Sequence, residues 1–317
     1  MNIQTQKPFK KAAFSNWFSL LAVIAILTLS GCGSASSDSQ GKTDDSDSTS
    51  EETQTEDTTD ETNEAPVASL PTDGQSNILL IIADDLGVDN ISLYNEQPDH
   101  MAATPSIDAI ADNGVLFRNA WANPMCSPSR ASIYTGQHAY NHELLTPGQS
   151  TDAILSADIL SQAGYATALF GKWHLGWGNH TPDKQGFDYW AGPKDNLTDY
   201  YEWTKYIKAS DGSIDTTVEY SGVNEQNYAT TVTAQDTVEW INNQTRPWFA
   251  TVAFNAGHTP LQVPINVGDR RSLNGNIGDT CDNTTDSKQE CFRGMVEVMD
   301  HYIGDIISQV DTSNTVI

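Results

Sequence analysis

Hydrophobic and polar residues divide the chain into three parts. An apolar stretch at residues 17–29 is followed by a long segment, 34–74, that is rich in Ser, Thr, Asp, Glu and Gly and has almost no large apolar side chain. From about Gln75 onward, apolar residues recur with the spacings of strands and helices. About 240 residues therefore remain for one large domain, which is long enough to bury a sizeable core.

Short apolar runs alternate with segments of helical periodicity in this third part. The runs predict strands at 78–83, 115–121, 165–170 and 248–254, and the run at 78–83 is typical of a central strand buried on both faces. One helix is predicted to begin at Pro105, with Thr104 as the N-cap, and to end before Gly114. Others are predicted at 129–135, 153–163, 226–242 and 291–310. This alternation predicts an α/β fold, a mainly parallel or mixed sheet covered by helices on both faces. Residues 178–225 are predicted to form loops and edge hairpins around a site.

The first 31 residues have the features of a lipoprotein signal peptide. Three lysines precede the apolar stretch, which is too short to span a bilayer comfortably, and residues 29–32 read LSGC, which looks like a bacterial lipobox. We expect Cys32 to be acylated and residues 32–75 to form a disordered acidic tether, because so polar a segment cannot bury enough surface to become ordered. The protein would then be an exported lipoprotein at the periplasmic side or the outer membrane. An ordinary cleaved signal peptide is the alternative.

The charge of the chain argues against one class of partner. The sequence has 42 acidic and 16 basic residues, a formal net charge of -26, and residues 34–64 alone contain eleven acidic residues and one lysine. The remainder is also acidic, which argues against nucleic acid as a partner. A local basic pocket is compatible with this charge, as is a general adaptation to a saline habitat.

Two carboxylates, Asp84 and Asp85, directly follow the predicted strand at 78–83. Ligands of open α/β sheets bind beyond the carboxyl ends of the strands. Adjacent carboxylates repel each other unless a cation lies between them, and their oxygens suit a hard ion such as Ca²⁺ or Mg²⁺. A solvated turn, in which one Asp caps the next helix, is the alternative interpretation.

Residues 126–130 read CSPSR, which places Cys126 two residues before a Pro and four before Arg130. Ordinary cysteine catalysis fits this pattern poorly, because no His is in an obvious orienting position and an Arg is not a general base. Together with NILLIIADD at 77–85 and GYATALFGKWHLG at 164–176, the motif resembles the type I sulfatases of the alkaline phosphatase superfamily, in particular their arylsulfatase B-like branch. The other matching segments are NAGHTP at 255–260 and LQVP at 261–264.

The resemblance implies an alkaline phosphatase-like fold and hydrolysis of sulfate esters, with a sulfated carbohydrate or an aryl sulfate as substrate. It implies that Cys126 is oxidised to Cα-formylglycine by a formylglycine-generating or anaerobic sulfatase-maturing enzyme, and that a hydroxyl of the hydrated aldehyde attacks sulfur. It also implies a metal site formed by Asp84, Asp85 and the modified Cys126. The metal is usually Ca²⁺ in this family, and Mg²⁺ is the alternative.

Four further residues are expected at the site. Arg130, one helical turn after Cys126, can bind the oxygens of the hydrate by charged hydrogen bonds. The resemblance assigns Lys172 to the sulfate oxygens, His174 to the formylglycine hydroxyl, and His258 to the sulfate and the leaving oxygen. Lys172 and His174 face the same side if the strand at 165–170 continues through them; a surface Lys and a loop His are the alternative. The remaining histidines, expected mostly in loops or on the surface, are His100, His138, His142, His180 and His301, of which His180 is a candidate for the substrate cleft.

Aromatic residues are concentrated in the predicted loop region; they are Trp173, Trp177, Trp190, Tyr200, Tyr201 and Trp203. Aromatic side chains commonly stack on sugar rings, because the face of a sugar ring is apolar and stiff. Ordinary packing under long loops explains the same cluster equally well.

Cys281 and Cys291 are ten residues apart in a polar segment. If Cys32 is acylated and Cys126 is oxidised, these two remain, and in an oxidising compartment a disulfide between them is expected. Two free surface thiols are the alternative.

Two other functions are compatible with the motifs: a phosphonate or phosphate ester hydrolase of the same superfamily, and a non-catalytic surface binding protein derived from a truncated sulfatase.

In the family, a strand like the one near 314–317 is followed by an Asp-Asn-Gly segment that completes the metal site, and by a later sulfate-binding Lys. These segments are not in the sequence. We therefore expect the 317-residue chain by itself to be inactive.

Overall fold

A seven-stranded sheet is the centre of the computed structural model, which describes residues 74–95, 101–146, 149–264 and 285–317. The strands are β1 (Asn77–Ile82), β2 (Ala166–Gly171), β3 (Tyr189–Gly192), β4 (Trp203–Ala209), β5 (Asp215–Tyr220), β6 (Trp248–Ala253) and β7 (Thr315–Val316). The predicted signal peptide, the tether up to residue 73, His100 and Cys281 lie outside the described residues.

The strands are arranged in the order β5-β4-β3-β2-β6-β1-β7. Five neighbouring strands are parallel: β3, β2, β6, β1 and β7. Strand β4 pairs antiparallel with β3 and with β5. The predicted α/β class with a mainly parallel, mixed sheet is therefore confirmed. Three of the four predicted strands are also confirmed to within about a residue, as β1, β2 and β6.

Strands β2 and β6 form the middle of the sheet, and every residue in both is buried. Phe170 pairs with Val252, and both side chains belong to the core on one face. Leu169 and Phe249 belong to the core on the other face, as the alternation of side chains along a strand requires. Continuous apolar runs are typical of strands that are covered on both faces.

Strand β1, next to the short edge strand β7, is less buried than its apolar sequence predicts. Only Leu79 is buried, and the other residues of the strand are half-buried. The neighbouring β7 has only two residues, which pair with Asn77 and Ile78. In the described part of the chain, most of one side of β1 therefore has no strand beside it.

Helices cover both faces of the sheet. They are α1 (Pro105–Asp112), α2 (Cys126–Thr135), α3 (Ala139–His142), α4 (Ser156–Gln162), α5 (Ala229–Asn242) and α6 (Thr285–Ser308). One core contains residues of α5 and α6, such as Val232 and Met295, and the other contains Ala131 of α2 and Ala157 of α4. Among the described residues, we find no helix with the length and apolarity that crossing a membrane requires.

The helix boundaries differ from their predictions where distant or polar contacts determine them. Helix α2 begins at Cys126, three residues before the predicted start, and α6 begins at Thr285, six residues before it. Helix α4 begins later than predicted, because the Asp158 carboxylate accepts a hydrogen bond of 2.8 Å from the Leu155 amide and so caps the helix there. Apolar periodicity alone does not contain this information.

The N-terminus of α1 is capped by a residue that is distant in sequence. Thr104 is at the predicted N-cap position, but its side chain makes no capping hydrogen bond. Instead, the Asp300 carboxylate of α6 accepts hydrogen bonds from the amides of Ser106 and Ile107, at 3.0 and 2.9 Å. Burial raises the pKa of Asp300, and these amide hydrogen bonds oppose that rise. A carboxylate at this position also interacts favourably with the helix dipole.

The predicted strand at 115–121 is wrong, because these residues form no strand in the structure. Apolar side chains of this segment are exposed, with Val115 at 74%, Phe117 at 69% and Trp121 at 95%. A strand needs a neighbour for its backbone hydrogen bonds, and none pairs with this segment in the described residues.

The segment 178–225 contains an edge hairpin, as predicted, and also the parallel strand β3. The hairpin is formed by β4 and β5, and its turn includes Gly212. The carboxyl end of β2 approaches its neighbours closely: Gly171 has a φ of 88°, and a Cβ atom added there would clash with the Ala253 carbonyl. Glycine is needed at this position both for its backbone conformation and for its lack of a side chain.

We expect Gly171→Ala to lower the free energy of unfolding by about 3 kcal/mol, because a left-handed residue costs about 1–2 kcal/mol and overpacking against the backbone costs about 1–3 kcal/mol. Gly212→Ala is the matched control, since Gly212 also has a positive φ, 74°, but no atom within 4 Å of the added Cβ. That variant should lose only about 1–2 kcal/mol. Urea unfolding measures both, and equal losses would contradict the packing argument.

Candidate active site

Three adjacent parallel strands, β1, β6 and β2, end in polar residues. The residues that follow the strands are Asp84 and Asp85 after β1, Asn255 and His258 after β6, and Lys172 and His174 after β2. The carboxyl ends of parallel neighbours lie at one edge of the sheet. This edge and the start of α2 therefore bring together the predicted residues of the catalytic and metal sites.

Cys126 is the first residue of α2 and is half-buried. Its Sγ atom lies 3.2 Å from Nδ1 of His174. The interpretation that no His is placed to orient Cys126 is therefore wrong, because His174 is distant in sequence but adjacent in space. The sulfur marks the position at which a modified side chain would place an oxygen.

His174 reaches Cys126 through an irregular backbone rather than through a continued strand. Strand β2 ends at Gly171, and His174 has a left-handed φ of 62°. Burial, together with the charge of Lys172, lowers the pKa of His174 to about 4, and the carboxylate of Asp195 acts in the opposite direction. The imidazole is therefore neutral at pH 7 and has one nitrogen able to accept a proton.

Asp84, Lys172 and Arg130 form a buried charged cluster. The Lys172 ammonium donates a hydrogen bond to Oδ2 of Asp84, and Nη2 of Arg130 lies 3.6 Å from the same oxygen. Nη1 of Arg130 donates to the Lys172 carbonyl at 2.7 Å, whereas Nη2 makes no hydrogen bond. Burial lowers the pKa of Lys172, and so does the neighbouring Arg130 charge. Two cationic side chains thus share one carboxylate, which favours an anion beside them.

The second carboxylate, Asp85, is exposed and lies opposite His258. Its Oδ2 is 3.6 Å from Nε2 of His258. Nδ1 of His258 lies 2.7 Å from the Thr259 carbonyl oxygen. A carbonyl oxygen only accepts hydrogen bonds, so Nδ1 carries a proton and Nε2 is the nitrogen that is available at the site.

A cavity of about 460 Å³ opens between the end of β1 and α2; its polar lining residues include Asp84, Asp85, Cys126, Ser129 and Arg130. The carboxylate oxygens have the chemistry that a hard divalent cation requires. Within the described residues, however, no group of three or more His, Cys, Asp or Glu side chains is arranged to hold a metal ion. The donors fit such a cation in kind, but they supply only part of its coordination shell.

The sequence profile of the sulfatase family matches residues 76–317 of this chain. The chain belongs to the sulfatase family. The match confirms the resemblance carried by the CSPSR, NILLIIADD and GKWHLG segments, and the fold agrees with it.

Two sulfatases are among the proteins that this chain resembles in sequence. N-acetylgalactosamine-6-sulfatase of Homo sapiens is 32% identical over 222 residues, which cover 58% of this chain and 40% of that protein. Arylsulfatase J of Mus musculus is 29% identical over 225 residues, which cover 64% of this chain and 36% of that protein. The crystal structure of Ps i-CgsB is similar with a TM-score of 0.58 and 26% identity, over 76% of this chain and 57% of that one. The chain thus spans well under half the length of both curated relatives.

In this sulfatase chain, a hydrogen-bond network that the sequence analysis missed fixes the segment before Cys126. Asn123 donates to Oγ of Ser132 at 3.1 Å, and the same oxygen lies 3.1 Å from Nε2 of His142. Because the Leu144 amide donates to Nδ1 of His142, Nε2 carries the proton and donates to Ser132. His142 is therefore a buried structural residue rather than the loop or surface residue that was predicted.

Aromatic packing beneath the candidate site supports the segment that contains His258. The Tyr200 hydroxyl lies 2.6 Å from the Asn255 carbonyl and 2.9 Å from the His258 carbonyl. Five of the six clustered aromatic residues are buried: Trp173, Trp190, Tyr200, Tyr201 and Trp203. For these five, ordinary packing is the correct interpretation. Trp177 differs, with 40% of its surface exposed.

The other predicted positions lie away from these contacts or are untested. His138 and His301 are exposed, and the half-buried His180 has its Nδ1 atom 3.7 Å from an Asp152 carboxylate oxygen. Cys291 is buried in α6, but Cys281 lies outside the described residues. Their disulfide therefore remains a prediction.

We expect Asp84→Asn to destabilise the fold by about 3–5 kcal/mol, because it leaves Lys172 and Arg130 buried without a carboxylate. Asp85→Asn is the control, since this neighbouring carboxylate is 59% exposed and should lose less than about 1 kcal/mol. Urea unfolding in the presence of EDTA measures both without a contribution from metal binding. A similar loss in the two variants would contradict the proposed importance of the buried cluster.

Proposed function

We propose that this chain forms the nucleophile-bearing part of a sulfate ester hydrolase in which Cys126 is converted to Cα-formylglycine. The contact of 3.2 Å between Sγ of Cys126 and Nδ1 of His174 is the main support for this proposal. Conversion replaces the sulfur by an oxygen, so a hydroxyl of the hydrated aldehyde would face the imidazole. The buried Asp84, Lys172 and Arg130 cluster lies beside it and provides positive charge.

The proposed reaction has two steps on one carbon atom. First, one hydroxyl oxygen of the hydrate bonds to the ester sulfur, the bond from sulfur to the alcohol oxygen breaks, and a proton passes to the departing alcohol. Second, the other hydroxyl loses its proton, the carbon–oxygen bond to the sulfate breaks, and sulfate leaves as the aldehyde re-forms. One water molecule is consumed when the aldehyde is hydrated again.

The side chains have separate tasks in these steps. His258 presents Nε2 to the site, because its Nδ1 is hydrogen-bonded to a backbone carbonyl. In its doubly protonated form, in which Nε2 also carries a proton, it is our candidate proton donor to the alcohol. His174, which is neutral, is the candidate acceptor for the second hydroxyl proton. Lys172, Arg130 and the N-terminus of α2 supply positive charge near the sulfate oxygens.

We assign a divalent metal, with Ca²⁺ first and Mg²⁺ as the alternative, to Asp84, Asp85 and the modified residue 126. When bound, such a cation would favour the deprotonated form of the nucleophilic hydroxyl and attract sulfate oxygens. Calcium takes roughly six to eight oxygen ligands, so these side chains would be part of a larger set. The Lys172 ammonium, which now contacts Asp84, would then be available to the sulfate.

A sulfated carbohydrate is the proposed natural substrate, and an aryl sulfate is the convenient artificial one. The support for this substrate class is the name of the human relative, which describes a sulfatase acting on N-acetylgalactosamine 6-sulfate. We also propose that the protein is exported as a lipoprotein acylated at Cys32, on the periplasmic side or the outer membrane. A formylglycine-generating or anaerobic sulfatase-maturing enzyme would act on it before it folds.

We expect natively expressed protein to carry formylglycine at position 126, which replaces SH₂ by O and lowers the mass of the peptide by about 18 Da. An aldehyde-specific probe should label that peptide and should not label Cys126→Ala. The natively expressed, converted protein should hydrolyse an aryl sulfate at least about 100-fold faster than its Cys126→Ala variant, because the variant has no nucleophile. The 317-residue chain by itself should be inactive.

An unaltered thiol together with undiminished sulfate ester cleavage would refute this proposal. A comparison of an aryl sulfate with an aryl phosphonate separates the two ester hydrolase functions. Faster turnover of the phosphonate would favour the phosphonate hydrolase of the same superfamily. Ester binding without turnover, by converted protein, would favour a non-catalytic binding protein.

A further inference from the structure

We propose that Trp177, Lys194 and Asp195 form a subsite that binds a second, anionic sugar unit of a sulfated oligosaccharide, next to the unit that carries the scissile sulfate. This inference rests on the proposed function for the position of the scissile group. The subsite itself is argued from an exposed ring, a cation and a carboxylate that the fold places together.

Trp177 is a rigid aromatic surface at the edge of a packed cluster. Its ring contacts Tyr206 edge-to-face, with centroids 4.9 Å apart, and Trp190 at 6.3 Å. Trp190 and Tyr206 are themselves stacked, at 5.7 Å with an interplanar angle of 7°. Because Trp190 is fully buried, these contacts fix the orientation of the indole while 40% of Trp177 remains exposed. A ring that is ordered before binding loses little entropy when a sugar stacks on it.

Two charged side chains lie beside this ring. The Lys194 ammonium is 4.8 Å from the centroid of the Trp177 ring, and it is 3.5 Å from Oδ2 of Asp195. Both charged side chains are partly exposed, at 35% and 47%. An ammonium can bind a sulfate or carboxylate group, and a carboxylate accepts hydrogen bonds from sugar hydroxyls. An apolar face with one donor and one acceptor at its edge is suited to a charged sugar.

The backbone connects this group of residues directly to the candidate active site. The His174 amide donates a hydrogen bond of 2.9 Å to the Lys194 carbonyl, and the Trp173 amide donates to the Pro193 carbonyl at 3.3 Å. His174 in turn contacts Cys126 at 3.2 Å. The loop after β3 is therefore hydrogen-bonded to the loop after β2, at His174, whose imidazole faces Cys126, and at the preceding residue. A sugar unit adjoining the scissile one would reach this position.

Because the protein is acidic, a partly exposed cation at this position is a specific candidate for binding an anionic group. The chain has a formal net charge of -26, so an anionic oligosaccharide is repelled by most of the molecule. The cationic groups described at the site, Lys172 and Arg130, are fully buried and serve the scissile group. Lys194 is a partly exposed cation in the loop that is hydrogen-bonded to His174. It is therefore the group that we expect to contact a second anionic substituent.

The test uses a chondroitin 6-sulfate tetrasaccharide, its desulfated and carboxyl-reduced counterpart, which is neutral, and a small aryl sulfate. Binding of each saccharide to the unconverted chain is followed by tryptophan fluorescence and calorimetry, which do not depend on turnover. Trp177→Ala should weaken tetrasaccharide binding about tenfold, and Trp177→Phe, which keeps an aromatic face, by only about threefold. Lys194→Ala should weaken it about fivefold at low salt, less at high salt, and should not affect the neutral compound.

Lys208→Ala is the matched control for the charge, because Lys208 is ion-paired to Asp215 in the edge hairpin, and it should bind like the unsubstituted chain. In converted protein, Trp177→Ala should raise KM for the tetrasaccharide and leave aryl sulfate kinetics within about twofold.

The subsite is overturned if the unsubstituted chain shows no saturable binding of the tetrasaccharide, or if Trp177→Ala and Trp177→Phe both bind it as tightly as the unsubstituted chain. It is also overturned if the variants lose aryl sulfate and tetrasaccharide turnover equally. If binding falls as expected but no converted variant cleaves either sulfate, the sulfatase proposal fails and the subsite stands.

Discussion

The buried contact between the Lys172 ammonium and the Asp84 carboxylate is the interaction on which the arrangement of the site depends. These residues follow β2 and β1, which are separated in the sheet by β6, so the ion pair joins the two strand ends across an intervening strand. Arg130 adds α2 to the same cluster through the Lys172 carbonyl and the Asp84 carboxylate. Removing one partner would leave buried charges uncompensated, which is costly. Because Arg130 and Cys126 belong to the same helix, the cluster also helps to position Cys126.

This cluster also explains the chemistry available at Cys126. Burial, together with the charge of Lys172, lowers the pKa of His174 to about 4 and keeps its imidazole neutral, and the imidazole lies against the sulfur. The N-terminus of α2 adds partial positive charge at the same point. An acidic protein thus places two buried cationic side chains, Lys172 and Arg130, at the carboxyl edge of its sheet, where we propose that a sulfate group binds.

The sequence predicted those parts of the molecule that depend on local patterns. The apolar runs located β1, β2 and β6, and the motifs located the acidic pair, Cys126 and the basic residues that meet at the sheet edge. It could not predict contacts between distant residues that no motif marks, such as the Asp300 cap of α1 or the contact between His142 and Ser132. The segment 115–121 failed for a related reason: an apolar run indicates a strand, but pairing needs a neighbour that the local sequence does not reveal.

A crystal structure of the converted protein grown with sulfate tests the account most directly. We predict one ordered sulfate beside residue 126, with oxygens within hydrogen-bond distance of Lys172 Nζ and His258 Nε2. A sulfate bound elsewhere, with Lys172 still committed to Asp84 and no anion beside residue 126 at saturating concentration, would contradict the central claim that this sheet edge is a sulfate site.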